Sequence, residues 1–125
     1  MNVVDSSAWL EYFANSLNAS FIARSIEKTE DLVVPTISLY EVFKRILQQR
    51  DEESALQGIA VIQQGQIVDL DPSLALTAAR LSLDLKVPMA DSIMLATARA
   101  SDAVLWTQDV GFKGLPRVRY RKATG

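Results

Sequence analysis

Asn2-Val3-Val4-Asp5-Ser6-Ser7-Ala8-Trp9 is a β-branched run that stops at an acid and passes at once into small polar residues. It reads as a brief strand, a cap and the start of a helix, with Ser6 and Ser7 as suitable caps. The motif recurs in outline along the chain. Asn15-Ser16 breaks the first helix, and Ala19 to Lys28 forms a second with Phe21, Ile22 and Ile26 on one side. Leu32-Val33-Val34-Pro35 is a strand closed by proline. Thr36 or Ser38 then caps a helix carrying Leu39, Val42, Phe43, Ile46 and Leu47 as far as Arg50. Asp51-Glu52-Glu53 opens a helix to about Gln64, Gln66 to Leu70 is a strand, and Asp71-Pro72 caps a helix that runs through Leu85. A last helix spans about Met89 to Ser101, and two strands follow, Ala103 to Thr107 and Arg117 to Tyr120. Short apolar strands separated by helices predict an α/β fold, a central parallel sheet with helices on both faces. The chain reads as one domain over residues 1–125, with no internal repeat or linker.

Composition removes many chemistries. With 49% hydrophobic and 22% charged residues, 125 residues suffice for one buried core without staples. There is no histidine and no cysteine, which excludes disulfides, thiol nucleophiles and the Ser-His-Asp triad, and removes the usual ligands of zinc, haem and iron–sulfur clusters. What remains is carboxylate, hydroxyl, Lys, Arg and Tyr chemistry, or a hard metal ion held by oxygen.

In open α/β sheets the ligand crevice lies at the carboxyl ends of the strands, so acids just beyond a strand are functional candidates. Asp5 is one, although capping the first helix is an equally good local reading. Asp109, after the strand ending at Thr107, reads either way as a site acid or a turn acid. Asp91 shares a helical face with Met94, Leu95 and Ala98, an apolar setting that a carboxylate tolerates near a helix start or beside a cation. Glu41 precedes Lys44 and Arg45 by one turn, which taken alone suggests a surface ion pair. Four acids from separated elements converging at one sheet edge would form a hard-oxygen site for Mg²⁺ or Mn²⁺, suited to phosphoryl chemistry with metal-activated water. Thr107 and Ser6 are candidates to orient water or a ligating carboxylate, or to satisfy nearby backbone.

The formal net charge of −2 hides an asymmetry, because Lys113, Arg117, Arg119, Arg121 and Lys122 follow the last acid, Asp109. Such a strip fits nucleic-acid phosphates or a solvated tail, with Lys113, Arg117 and Arg119 as the candidate phosphate contacts. The N-terminus reaches Asp5 with no basic segment or long apolar stretch, unlike a signal peptide. The uncharged run Ser54 to Val68 contains four glutamines and is too short and polar to span a bilayer. A cytoplasmic protein is the expectation.

The residues Val3 to Trp9, Pro35 to Lys44, Ala90-Asp91-Ser92-Ile93-Met94-Leu95-Ala96-Thr97-Ala98 and Thr107-Gln108-Asp109-Val110-Gly111-Phe112, in this order and at this length, resemble the PIN-domain ribonucleases, and among them the VapC-type toxins of toxin–antitoxin pairs. The resemblance covers nearly the whole chain. It implies a PIN-like three-layer fold and a metal-dependent endoribonuclease, with Asp5, Glu41, Asp91 and Asp109 on the family's acidic site. Asp5 and Asp91 would be the principal metal ligands, Glu41 and Asp109 would complete the sphere directly or through water, and Thr107 would lie beside them. It also implies a homodimer and a cognate VapB-type antitoxin, whose inserted segment or the dimer face would use the second and third helices, rich in Phe21, Ile22, Tyr40 and Phe43. Core packing is the plain alternative for those side chains.

Two rivals stand beside this reading. A phosphoacceptor receiver domain shares the length and the alternation, but it needs an acid pair after the first strand, where Asp5 is followed by Ser6-Ser7, and Asp69 is expected inside its strand. A catalytically silent PIN-like module that only binds RNA or a protein is the other.

Overall fold

The computed structural model describes residues 1–123. Five short strands, β1 (Asn2–Val4), β2 (Leu32–Pro35), β3 (Gln66–Val68), β4 (Val104–Thr107) and β5 (Val118–Tyr120), form one sheet in the order β3-β2-β1-β4-β5, with every pair parallel. The helices are α1 (Ser6–Ala14), α2 (Ala19–Ile26), α3 (Thr36–Gln49), α4 (Glu52–Ile62), α5 (Pro72–Leu85) and α6 (Met89–Ala100). The chain starts in the middle of the sheet, winds outward through β2 and β3, then crosses back to add β4 and β5 on the other side of β1. The order of winding therefore reverses between β1 and β4, where α/β sheets open a ligand crevice.

Alternation along the strands builds the layers. Val4, Val34 and Trp106 face one side and pack with Ala8, Trp9, Ile22, Ile26, Val42, Ile46, Ala55 and Ile62 of α1 to α4. Val3, Val33 and Leu105 face the other side and pack with Met94, Leu95 and Ala98 of α6 and with Phe112. Leu74 and Ala78 of α5 close against Ile93 and Ala96 of α6. The result is three layers, with the inner strands β1, β2 and β4 buried on both faces as a parallel sheet requires.

Caps account for several boundaries. The Asp51 side chain accepts from the Ser54 amide at 2.7 Å to open α4, and Asp71 accepts from Leu74 N at 2.8 Å ahead of Pro72 in α5. Three expected details differ. Asp5 occupies the cap position of α1, one of its two expected places, without a side-chain cap hydrogen bond, so it is Ser6 and Ser7 that differ: they lie inside the first turn, where their hydroxyls are free for side-chain partners. Pro35, in extended conformation, precedes α3, so neither Thr36 nor Ser38 caps it. β3 ends at Val68, which puts Asp69 beyond the strand. The receiver reading fails on topology rather than on that acid, because its strand order is 2-1-3-4-5 and β1 here is flanked by β2 and β4.

Gly65 joins α4 to β3 against the backbone of β2. A Cβ there would stand 2.8 Å from Leu32 Cγ and 2.9 Å from the Leu32 carbonyl oxygen, and the carbonyl cannot yield without breaking strand pairing. Gly65→Ala is expected to lower unfolding free energy by about 1–3 kcal/mol, read as a lower urea midpoint with unchanged slope; an unaltered midpoint would show that the turn relaxes freely.

Candidate functional site

The Asp5 amide donates to the Trp106 carbonyl at 2.9 Å, so the β1–β4 ladder continues one residue past β1 and fixes where the Asp5 side chain starts. That side chain is 5% exposed. Its Oδ2 accepts from Ser7 Oγ at 2.9 Å and from Thr107 Oγ1 at 2.9 Å. Thr107 Oγ1 in turn accepts from the Asp109 amide at 2.9 Å, and Asp109 Oδ1 accepts from Gly111 N at 2.8 Å. The end of β4 thus orients both its own acid and the acid of β1. From α3, Glu41 Oε1 accepts from Ser6 Oγ at 2.6 Å. The i+3 and i+4 cations do not hold it: Lys44 lies 5.5 Å over the Tyr40 ring instead. Asp91 comes from the first turn of α6, whose amino end points at the carboxyl ends of the strands.

Electrostatics link the four. Burial raises the Asp5 pKa above its ordinary value, against the lowering effect of the Ser7 and Thr107 hydroxyls, and Glu41 adds to the rise. Asp91 is pushed up to about 7, first by loss of water and then by the negative charges of Asp109, Asp5 and Glu41, with an Asp109 hydrogen bond favouring the protonated form. Among the described residues the ion pairs are Lys28–Asp31 and Arg117–Asp102, so none of the four acids is neutralised by a cationic side chain. The donor chemistry, carboxylate oxygen with no nitrogen or sulfur, fits a hard divalent cation. No three of the acids among the described residues stand close enough to make a ready-formed metal cage. They share one electrostatic neighbourhood without meeting at one point.

The structure brings together Asp5, Glu41, Asp91, Asp109, Thr107 and Ser6, each at the carboxyl side of the sheet. Arg117 lies elsewhere. It precedes β5 at the amino ends of the strands and is bonded through its guanidinium to the side chain and carbonyl of Asp102. Lys113 sits 5.7 Å over the Tyr120 ring, and Arg119 5.1 Å over Trp106. Ser7 is the site residue that sequence reading assigned only to capping; its spacing two residues after Asp5 was the available signal. Of the apolar candidates for a partner groove, Ile22 is wholly buried and Phe21 packs on Trp106. Tyr40 and Phe43 instead line an apolar cleft of about 550 Å³ with Leu39, Leu47 and Ile59, between α3 and α4 rather than α2 and α3.

Comparison with known proteins decides the family. The sequence matches the model of the PIN domain over residues 3–118. The chain belongs to the PIN domain family. Sequence comparison with curated proteins gives no match. Among solved structures, a toxin–antitoxin complex from Klebsiella pneumoniae superposes with a TM-score of 0.79 at 19% identity, covering 95% of this chain and 96% of the other. VapBC2 from Rickettsia felis, bound to a DNA fragment from its promoter, gives 0.74 at 14% identity over 97% of each chain. VapC20 of Mycobacterium tuberculosis, described as a toxin that cleaves the sarcin-ricin loop, gives 0.74 at 14% identity over 95% of this chain and 99% of its own. These likenesses establish the three-layer PIN fold. No helix among the described residues is long and apolar enough to cross a membrane.

The raised pKa values carry a stability consequence. A carboxyl that binds its proton more tightly folded than unfolded makes the folded state lose stability as pH rises between the two values. For Asp91 that interval runs from 3.8 to about 7, and Asp5 shifts in the same direction. In a chelator, the stability advantage of Asp91→Asn over the wild type should widen as pH rises from 4 to about 7. Urea titrations across that range check it, and a constant difference would contradict the raised Asp91 pKa.

Proposed function

We propose that the chain is a metal-dependent endoribonuclease and the toxin, of the VapC type, in a type II toxin–antitoxin pair. The observation that carries the reading is the set Asp5, Glu41, Asp91 and Asp109 drawn from four elements to the switch point of the sheet, with no Lys or Arg of the described residues in an ion pair to any of them. PIN membership supports nuclease chemistry, and the structural likeness to a toxin–antitoxin complex from Klebsiella pneumoniae supports the toxin role.

Asp5 and Asp91 would hold Mg²⁺ or Mn²⁺, with Glu41 and Asp109 completing the sphere directly or through water. When bound, the cation supplies Lewis acidity to the RNA phosphodiester and activates a water for in-line attack. The protein's part is positioning. Thr107 and Ser7 fix the Asp5 carboxylate through Oδ2, Ser6 fixes Glu41, and the Gly111 amide fixes Asp109. Locked carboxylates cost less entropy to gather around a cation than mobile ones. The partners on this reading are an RNA substrate, a VapB-type antitoxin and a second copy of the chain, with the α3–α4 cleft as a candidate face for either protein.

The absence of a preassembled three-acid cage among the described residues favours a second reading, a PIN-like module that binds RNA or protein without cutting. Incubation of the purified protein with total cellular RNA separates the two. Discrete cleavage is expected with Mg²⁺ or Mn²⁺ and none with excess EDTA. Asp5→Asn and Asp91→Asn should each lower the rate by at least the roughly 100-fold that loss of an outer partner of a metal ligand can cost, with circular dichroism unchanged. Equal cleavage by both variants would refute the carboxylate site, and no cleavage by the wild type would favour the binding module.

A further inference from the structure

We infer that Arg119 and Arg121 form a track for the backbone of single-stranded RNA, running along the outer edge of the sheet to the acid site. The inference rests on the nuclease reading for its substrate and on separate residues for its argument.

Val118 points into the core on the α6 side, so alternation along the edge strand sends residues 119 and 121 to the opposite face, where Trp106 and Phe21 lie. The Arg119 guanidinium stands 5.1 Å over the Trp106 ring and that of Arg121 stands 4.3 Å over Phe21, while the two rings are themselves 5.0 Å apart. A guanidinium laid on an aromatic face is restrained by the ring and keeps its N–H edges available, which suits recognition of phosphate oxygens. Both arginines are exposed. Neither is in an ion pair among the described residues, whereas Arg117, two residues earlier, is neutralised by Asp102 at the far end of the strands.

Position gives the track its direction. Arg121 N donates to the Thr107 carbonyl at 3.1 Å, and the Thr107 hydroxyl donates to Asp5. Arg121 is therefore anchored one strand away from the acids, with Arg119 farther down the same edge. Two preset positive groups beside an acid cluster solve a problem that the cluster creates, since four carboxylates repel the phosphates they must meet. Contacts of this kind fix register without reading bases.

The test is fluorescence anisotropy of a short fluorescein-labelled oligouridylate with Mg²⁺, in the Asp91→Asn background so that the probe survives. The variants are Arg119→Gln/Arg121→Gln, the corresponding double Lys variant, and Arg80→Gln on the exposed face of α5 as a control for charge alone. The Gln pair should weaken binding about 10-fold near 0.1 M salt and flatten the dependence of log K on log salt by about 1.4, the contribution of two phosphates on a single strand. The Lys pair should retain the slope, Arg80→Gln should match the parent, and melting temperatures should stay close together. A Gln pair with parental affinity and slope overturns the track. So does equal loss in the Gln and Lys pairs together with a lowered melting temperature, which would mean that the arginines only cover the rings. Unchanged RNA binding with weakened binding of labelled oligoglutamate overturns it in favour of an acidic peptide. Wild-type protein that binds the probe through these arginines but cuts no RNA refutes the nuclease reading and leaves the track standing.

Discussion

The parallel pairing of β1 with β4 is the constraint on which the rest of the structure depends. It sets the Asp5 amide on the Trp106 carbonyl, brings the Thr107 hydroxyl within 2.9 Å of the Asp5 carboxylate, and places Asp109 two residues further along the same turn. Residues a hundred positions apart become neighbours because the chain returns to its first strand from the other side. The helices then follow, since α3 leaves β2 and α6 enters β4 with their amino ends at the same side of the sheet. Glu41 and Asp91 arrive there as a result of strand order, with no local sequence feature that brings them.

Much of this was legible in the sequence. Strands as short as Asn2–Val4 are recognisable because Val3 and Val4 are β-branched and buried, and acids ahead of helices such as Asp51 and Asp71 mark starts that the structure uses. Other features depend on partners distant in sequence. Glu41 looks like half of a surface ion pair until Ser6, from another helix, is seen to occupy it. Ser6 and Ser7 look like caps because capping is the commonest local use of such residues, and only the position of Asp5 at the cap frees them. Arg117 and Arg119 are indistinguishable as sequence, yet a residue's place along a parallel strand decides whether it stands over Trp106 or is bound by Asp102 at the amino ends of the strands.

The fold holds the four acids in a geometry that opposes its own stability. Burial and neighbouring negative charge raise the pKa of Asp5 and Asp91, and so make the folded protein less stable at neutral pH than it would be with amides in their place, a common trade at functional sites. The hydroxyls of Ser7 and Thr107 limit that cost by bonding to the Asp5 carboxylate. They leave negative charge at the site, which a bound cation would offset under the proposed function. A cation in that place is the requirement the proposed function makes, in keeping with PIN family membership.

Thermal melting of the chelator-treated protein on addition of Mn²⁺ tests this requirement most directly, because it reads the site without any substrate. A cation gathered by the four acids binds the folded chain in preference to the unfolded one, so the wild-type melting temperature should climb with Mn²⁺ concentration, while Asp5→Asn and Asp91→Asn, already relieved of repulsion, should barely respond. A wild-type melting temperature indifferent to Mn²⁺, or an equal rise in both variants, would contradict the account.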